Sequence, residues 1–140
     1  MPGRLHPAPG FVVLEVVVEV AYDHLRQAVD LDDNLKYDEP WGWMQPARHA
    51  LGALLLEQGH VDQAEQVYRD DLGLSDTLVS TSQHPDNLWS LHGLVECLER
   101  RGDPEQARLM RARLNLAKAR ADVPVNASCA CRLQHHCCEN

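Results

Sequence analysis

The sequence predicts an all-α protein built from antiparallel pairs of amphipathic helices. Apolar side chains recur every three or four residues in two neighbouring stretches, from Ala47 to Leu56 and from Val61 to Leu72. That spacing places the apolar side chains of each stretch on one face of a helix. Gly59 lies between the stretches, where glycine suits the backbone conformation that ends a helix. We therefore expect two helices that fold back on each other at Gly59.

An internal repeat is the second observation that favours this fold. Gly59 and Ala64 recur 43 residues later as Gly102 and Ala107, and Ala21 precedes Ala64 by the same distance. A fixed period of this size is typical of proteins that stack one helical unit on the next. The leucines repeat with the same spacing, Leu51 with Leu94 and Leu55 with Leu98.

The chain begins with a proline- and glycine-rich stretch, residues 1–10, which we expect to be a flexible arm. The valine-rich stretch from Val12 to Val20 would suit a strand by its β-branched content, whereas as a helix it would begin at Phe11. Glu15 and Glu19 fall on one polar helical stripe, and no partner strand is evident elsewhere. We predict a helix that continues through Val29, and a repeat domain that spans residues 11–121.

Two connectors and two further helices follow. The first connector, Leu31 to Pro46, contains three aromatic residues that we expect either to pack over the helices or to offer a binding surface. After an exposed loop, Asp86 or Asn87 should cap a helix that ends at Gly102. Asp103-Pro104-Glu105-Gln106 has the pattern of a helix start, and that last helix should reach about Ala121. The aromatic residues are Tyr37, Trp41 and Trp43.

Leu51-Gly52, and Ala64 followed four residues later by Tyr68, resemble the pattern of the tetratricopeptide repeat family. The strings YDEPWGWMQPARHALGALLLEQG and NLWSLHGLVECLERRG also resemble the C-terminal part of a group of larger bacterial and fungal repeat proteins. The resemblance implies a short solenoid in which each helix pair buries one face on its neighbour. The match is partial, because these residues depart from the family pattern: Arg48, Leu55, Val95 and Arg111.

In the tetratricopeptide repeat family the first helix of each repeat lines a concave groove that binds extended peptides. An aromatic ring, an imidazole and charges of both signs on one face could grip a peptide, although a solvated helix face has the same pattern. His92 and Glu96 could also supply two metal ligands, but a site needs three or four, and only His49 is a plausible third. The resemblance assigns to the groove His49, Ala53, Leu56, Glu57, Trp89, His92, Glu96, Glu99 and Arg100.

Charge and hydropathy narrow the classes of partner. The chain has 21 acidic and 13 basic side chains, a formal net charge of -8, whereas nucleic-acid and anionic-membrane binding favour a basic surplus. Glu15 and Glu19 interrupt the longest apolar run, so it is not expected to span a bilayer, and no secretory signal pattern is evident. We expect a cytoplasmic protein whose five cysteines are thiols or metal ligands.

The tail, residues 122–140, is expected to be flexible and is rich in cysteine and histidine. Thiolate and imidazole suit zinc or copper(I), but the spacing is not the two-plus-two arrangement of structural zinc sites. Adventitious binding or no binding is the alternative. The six candidate ligands are Cys129, Cys131, His135, His136, Cys137 and Cys138.

Together these observations predict a non-catalytic module that binds or scaffolds a protein or peptide, requires no cofactor and could self-associate. The first alternative is a metal-binding protein that uses the tail. The second is a non-catalytic remnant of a larger repeat protein.

Overall fold

A computed structural model describes residues 9–35 and 45–132. Within these ranges it contains α-helices and short 3₁₀ helices and no strand, which confirms the predicted fold class. The three aromatic residues of the first connector, and residues 1–8 of the predicted arm, lie outside the described residues. The α-helices are α1 (Pro9–Asp33), α2 (Ala47–Glu57), α3 (Val61–Asp71), α4 (Leu88–Arg101) and α5 (Pro104–Lys118), and the 3₁₀ helices are Ser80–Ser82 and Ala130–Arg132.

Consecutive helices pack on one another as in a solenoid, and α2 also contacts α4. The two repeated alanines lie in the contacts between helices, since Ala64 is 0% and Ala107 is 4% exposed. A small side chain at such a position lets two helices approach closely, which is why alanine recurs there. The core between the helices is mostly leucine, namely Leu51, Leu55, Leu56, Leu72, Leu91, Leu94, Leu98 and Leu114.

The valine-rich stretch is helical, as predicted, and belongs to the single long helix α1. Tyr22 is buried at 2% exposure on the face that packs against the core, together with Val18 and Leu25. The opposite side of α1 carries further apolar side chains that remain largely exposed, including Val17 and Leu31. Such a face is compatible with the predicted self-association, which stays a prediction.

Two aspartates at the end of α1 hold the start of α2. The N-cap position of α2 is Pro46, whose side chain cannot accept a hydrogen bond from the helix. Instead, the carboxylate of Asp32 accepts a hydrogen bond from the N–H of Ala47 at 2.9 Å. Asp33 forms a two-point ion pair with Arg48. A carboxylate from another helix thus satisfies a free donor at the positive end of α2.

Both predicted bends are present, and glycine is needed at each of them. Gly59 has a φ of 81° and Gly102 a φ of 77°, the left-handed region that other residues rarely adopt. At the second bend the N–H of Asp103 donates to the carbonyl of Leu98 at 2.9 Å, which satisfies a free carbonyl at the end of α4. The chain therefore reverses direction within a few residues and α5 packs back on α4.

The start of α5 is capped as the sequence predicts, and this leads to a first testable prediction. Asp103 accepts from the N–H of Gln106 at 3.1 Å, and the Gln106 amide donates back to Asp103 at 2.9 Å. Asp103→Ala should lower the free energy of unfolding by about 1 kcal/mol, because both bonds are lost. Urea denaturation measures this change, with Asp122→Ala as a control at an exposed position outside the helices. Equal midpoints for the two variants would show that the cap contributes nothing.

Candidate functional site

A buried carboxylate, Asp71 at the end of α3, joins α2, α3 and α4. Its side chain is fully shielded from solvent and accepts a hydrogen bond from Ser90 Oγ at 2.5 Å. Its oxygens also lie 3.2 Å from Nε2 of His49 and 2.7 Å from Nδ1 of His84. The backbone N–H of His84 donates a hydrogen bond to the backbone carbonyl of Asp71 at 2.6 Å. This cluster sets the relative positions of the N-terminal ends of α2 and α4.

The cluster contains serine, histidine and aspartate but lacks the geometry of a hydrolytic triad. In a triad the histidine lies between the acid and the serine, whereas Ser90 here donates directly to Asp71. Ser90 is 0% and His49 is 1% exposed, so no substrate reaches them in this conformation. Burial alone would raise the pKa of the Asp71 carboxyl, but the hydrogen bonds from His49, His84 and Ser90 hold it well below its ordinary value. The arrangement therefore stabilises a carboxylate in the interior.

The ring of Tyr68, from α3, fills the space between α2 and α4. A Cβ atom added to Gly52 of α2 would lie 2.5 Å from Cζ of Tyr68, and one added to Gly93 of α4 would lie 2.3 Å from the same atom. Both distances are far below van der Waals contact, so each helix requires a glycine where it meets this ring. The Tyr68 hydroxyl is buried, and no described residue forms a hydrogen bond with it.

After α5 the chain returns to the helices and packs against α2 and α4. Val125, Ser128 and Cys129 are 4%, 0% and 0% exposed, and the 3₁₀ helix that follows contacts α2. Burial raises the pKa of Tyr68, and the neighbouring Ser128 hydroxyl opposes that rise, although the two hydroxyls do not reach hydrogen-bond geometry. The expectation of a flexible tail is therefore wrong for residues 125–132, because apolar burial and polar contacts hold them. We call residues 125–132 the return segment.

Arg132 anchors the end of the return segment between two glutamates. Its guanidinium donates to both carboxylate oxygens of Glu96 of α4, at 2.8 and 3.3 Å, and its Nε lies 3.3 Å from Glu57 of α2. It also donates to Ser128 Oγ at 3.1 Å. The hydrogen bond to Glu96 raises the pKa of Arg132 despite partial burial. Arg132 lies outside every helical period, so no pattern in the sequence singles it out.

Two segments of the chain, residues 45–70 and 88–108, match the family model of the tetratricopeptide repeat. Each of these two segments is similar to a tetratricopeptide repeat. The first covers α2 and nearly all of α3, and the second covers α4 and the start of α5. No curated protein and no solved structure matches the chain significantly.

In the two matched segments α2 and α4 hold the place of the first helices, so the predicted groove would lie on the face that they share. We call this face the α2–α4 groove. On α4, Trp89, His92 and Glu96 are partly exposed, and on α2 Glu57 is exposed. Arg100 donates to the carbonyl of Leu56 at 2.8 Å and to Glu96 at 2.5 Å. Glu99 instead forms an ion pair with Arg111 of α5.

Three of the predicted groove residues on α2 are buried in the repeat structure. His49 and Ala53 are each 1% exposed and Leu56 is 0% exposed. The imidazole of His49 is bound to Asp71, and Leu56 belongs to the hydrophobic core. The cause is the central place of α2, which contacts α1, α3, α4 and the 3₁₀ helix of the return segment. In this conformation Glu57 is the one of the four predicted α2 residues that solvent reaches.

His92 lies on the α4 side of the groove, and its buried Nδ1 atom has no hydrogen-bond partner among the described residues. Burial, assisted by the charge of Lys118, lowers the pKa of His92. Within the described residues, no group of three or more potential ligands is arranged to hold a metal ion.

The described cysteines include a free thiol and a disulfide. Cys97 is a buried free thiol, and burial raises its pKa to about 12. Cys129 and Cys131 form a disulfide, so the expectation of thiols or metal ligands is wrong for these two cysteines. The side-chain amide of Gln45 donates to Cys129 Sγ at 3.5 Å. The other four proposed metal ligands, His135, His136, Cys137 and Cys138, lie outside the described residues, so metal binding by the tail stays a prediction.

In the ranges that the structure covers, each helix is too short or too polar to cross a bilayer.

Proposed function

We propose that this protein is a non-catalytic binding module whose two repeats recognise a protein or peptide through the α2–α4 groove. Tetratricopeptide repeats generally mediate interactions between proteins. The observation that best supports this function is that the groove already holds part of the return segment, with Ser128 buried beside Tyr68 and Arg132 bound to Glu57 and Glu96. A surface that can hold one stretch of this chain between its helices has the shape needed for another peptide.

The side chains along α4 support the same function. Trp89, His92 and Glu96 combine an aromatic ring, an imidazole with an unpaired buried nitrogen, and a carboxylate on one helical face. Aromatic and charged anchors of this kind supply most of the binding energy in typical interfaces. The Asp71 cluster, in contrast, is enclosed and has no room for a substrate, which supports a role without catalysis.

A double substitution, Trp89→Ala with His92→Ala, tests this function. Peptides selected from a random library on the full-length protein should bind the double variant at least about tenfold more weakly, because two anchors of the groove are lost. Fluorescence anisotropy measures the dissociation constants, and a thermal melt verifies that the variant is folded. His24→Ala, at an exposed position on α1, is the matched control and should leave binding unchanged. Equal affinity of both variants for the selected peptides would exclude the groove as the contact surface.

A further inference from the structure

The return segment occupies the groove in the manner of a ligand. Its residues Val125, Ala127, Ser128 and Cys129 are buried although they belong to none of the helices. Ala53 of α2 is buried as well, yet it lies outside the hydrophobic cluster that joins the helices to one another. The segment and the groove therefore form a separate, second layer of packing.

Small side chains of the segment match the floor of the groove. Because Gly52 and Gly93 have no side chain, the Tyr68 ring fits between α2 and α4, and its hydroxyl lies next to Ser128. Ser128 is 0% exposed, so a larger side chain in its place would have to displace the atoms that already surround it. The floor thus favours a peptide whose central residues are small and whose polar group can approach the Tyr68 hydroxyl.

Charge complementarity fixes the end of the segment. Glu57 and Glu96 project from two different helices, and Arg132 bridges them while it binds Glu96 through two nitrogens. A planar guanidinium makes such a two-point contact with a carboxylate, whereas the ammonium group of lysine does not. Arg100 already orients Glu96 from the same helix, so the carboxylate is in place before an external arginine arrives.

We propose that the return segment is an intramolecular ligand of the groove, and that the groove selects peptides in which an arginine follows a run of small residues and replaces Arg132 between Glu57 and Glu96. This proposal rests on the proposed function, because it names the class of peptide that the groove takes. A partner peptide must displace the return segment, so the segment lowers the apparent affinity of the groove for every such peptide.

Competition by a labelled peptide tests the proposal on the full-length protein. The probe is the fluorescein-labelled, oxidised peptide VNASCACR, the sequence of residues 125–132. It should bind the Arg132→Ala protein about tenfold more tightly than the wild type, because the variant loses the charged hydrogen bonds that hold its own segment in the groove. Arg108→Ala, which removes an exposed arginine of α5, is the matched control and should bind like the wild type.

Two further measurements guard against misfolding and unspecific binding. In the Arg132→Ala protein, adding Glu57→Gln or ending the probe in alanine instead of arginine should each weaken binding. Hydrogen exchange should show amides of residues 125–132 protected in the wild type and exposed in the Arg132→Ala variant, with α2–α5 unchanged in both. Unprotected amides in the wild type, or equal binding of the arginine and alanine probes, would overturn the proposal. These outcomes do not involve Trp89 or His92, so they are distinct from a failure of the proposed function.

Discussion

Asp71→Ala should lower the free energy of unfolding by about 3–5 kcal/mol, because it leaves buried polar partners without an acceptor. Ser90 and His49 would both lose a hydrogen bond at positions where water does not reach them. The carboxylate also connects both repeats, so its loss weakens the contact of α4 with α2 and α3. Urea denaturation followed by circular dichroism measures this change.

The control for this experiment is Asp76→Ala, which removes an exposed carboxylate from the loop that follows α3. Its effect should stay within about 0.5 kcal/mol. Asp71→Asn should also destabilise the protein, because the amide has only one acceptor oxygen and no charge. Its NH₂ group would also face groups that already donate hydrogen bonds at this position. Similar stability of the Asp71→Ala and Asp76→Ala variants would contradict the structural role of the cluster.

The same cluster predicts how stability depends on pH. The pKa of Asp71 is lowered on folding, so its contribution to stability is present above the ordinary aspartate value of 3.8 and is lost as the pH falls below it. The difference in unfolding free energy between wild type and Asp71→Ala should thus shrink in acidic buffer, as the pH falls below that value. A difference independent of pH down to acid conditions would show that Asp71 is not ionised in the folded protein.

Tyr68→Ala is expected to cost about 3–5 kcal/mol of stability, the usual effect of removing a large buried aromatic ring. The ring lies at 0% exposure between α2 and α4, and its removal leaves a cavity where the two repeats meet. Tyr68→Phe is the control. It removes only the hydroxyl, which has no hydrogen-bond partner, so its effect on stability should be within about 0.5 kcal/mol.

The effect of Gly93→Ala on the free energy of unfolding should change sign with the residue at position 68. In the wild type the added methyl group overlaps the Tyr68 ring, and the cost of about 1–3 kcal/mol exceeds the gain of up to about 1 kcal/mol in helix propensity. In the Tyr68→Ala background the methyl group enters the cavity, so the same substitution should stabilise the protein. A double-mutant cycle with equal effects in both backgrounds would show that ring and glycine do not interact.

The helices, their ends and their pairing could be predicted because the signals are local. The apolar spacing of α2 and α3 and the capping sequence at Asp103 each lie within a few turns of helix. Gly52 is unfavourable within a helix by propensity alone, and the reason for it is the Tyr68 ring, which leaves no space for a side chain there. The valine-rich stretch required a choice between helix and strand, and the polar stripe at Glu15 and Glu19 indicated the helix that is present.

The site was less predictable, because its residues come together from distant parts of the chain. His49 was assigned to the groove by its position on α2, but its ring binds Asp71 in the interior. Nothing in the local pattern indicates that Ser90 and His84 meet the same carboxylate. The composition of the tail predicted a flexible segment. In the structure Arg132 binds the carboxylates of Glu96 and Glu57, and at least one complete helix separates it from each of them along the chain.

The sequence by itself determined that the chain forms paired amphipathic helices with glycine at each bend, since periodicity and capping depend on neighbours along the chain. Only the tertiary structure decided that the segment after α5 packs into the groove and that a buried carboxylate links the repeats. These contacts depend on which side chains become neighbours once the helices have packed, and no spacing along the chain encodes them.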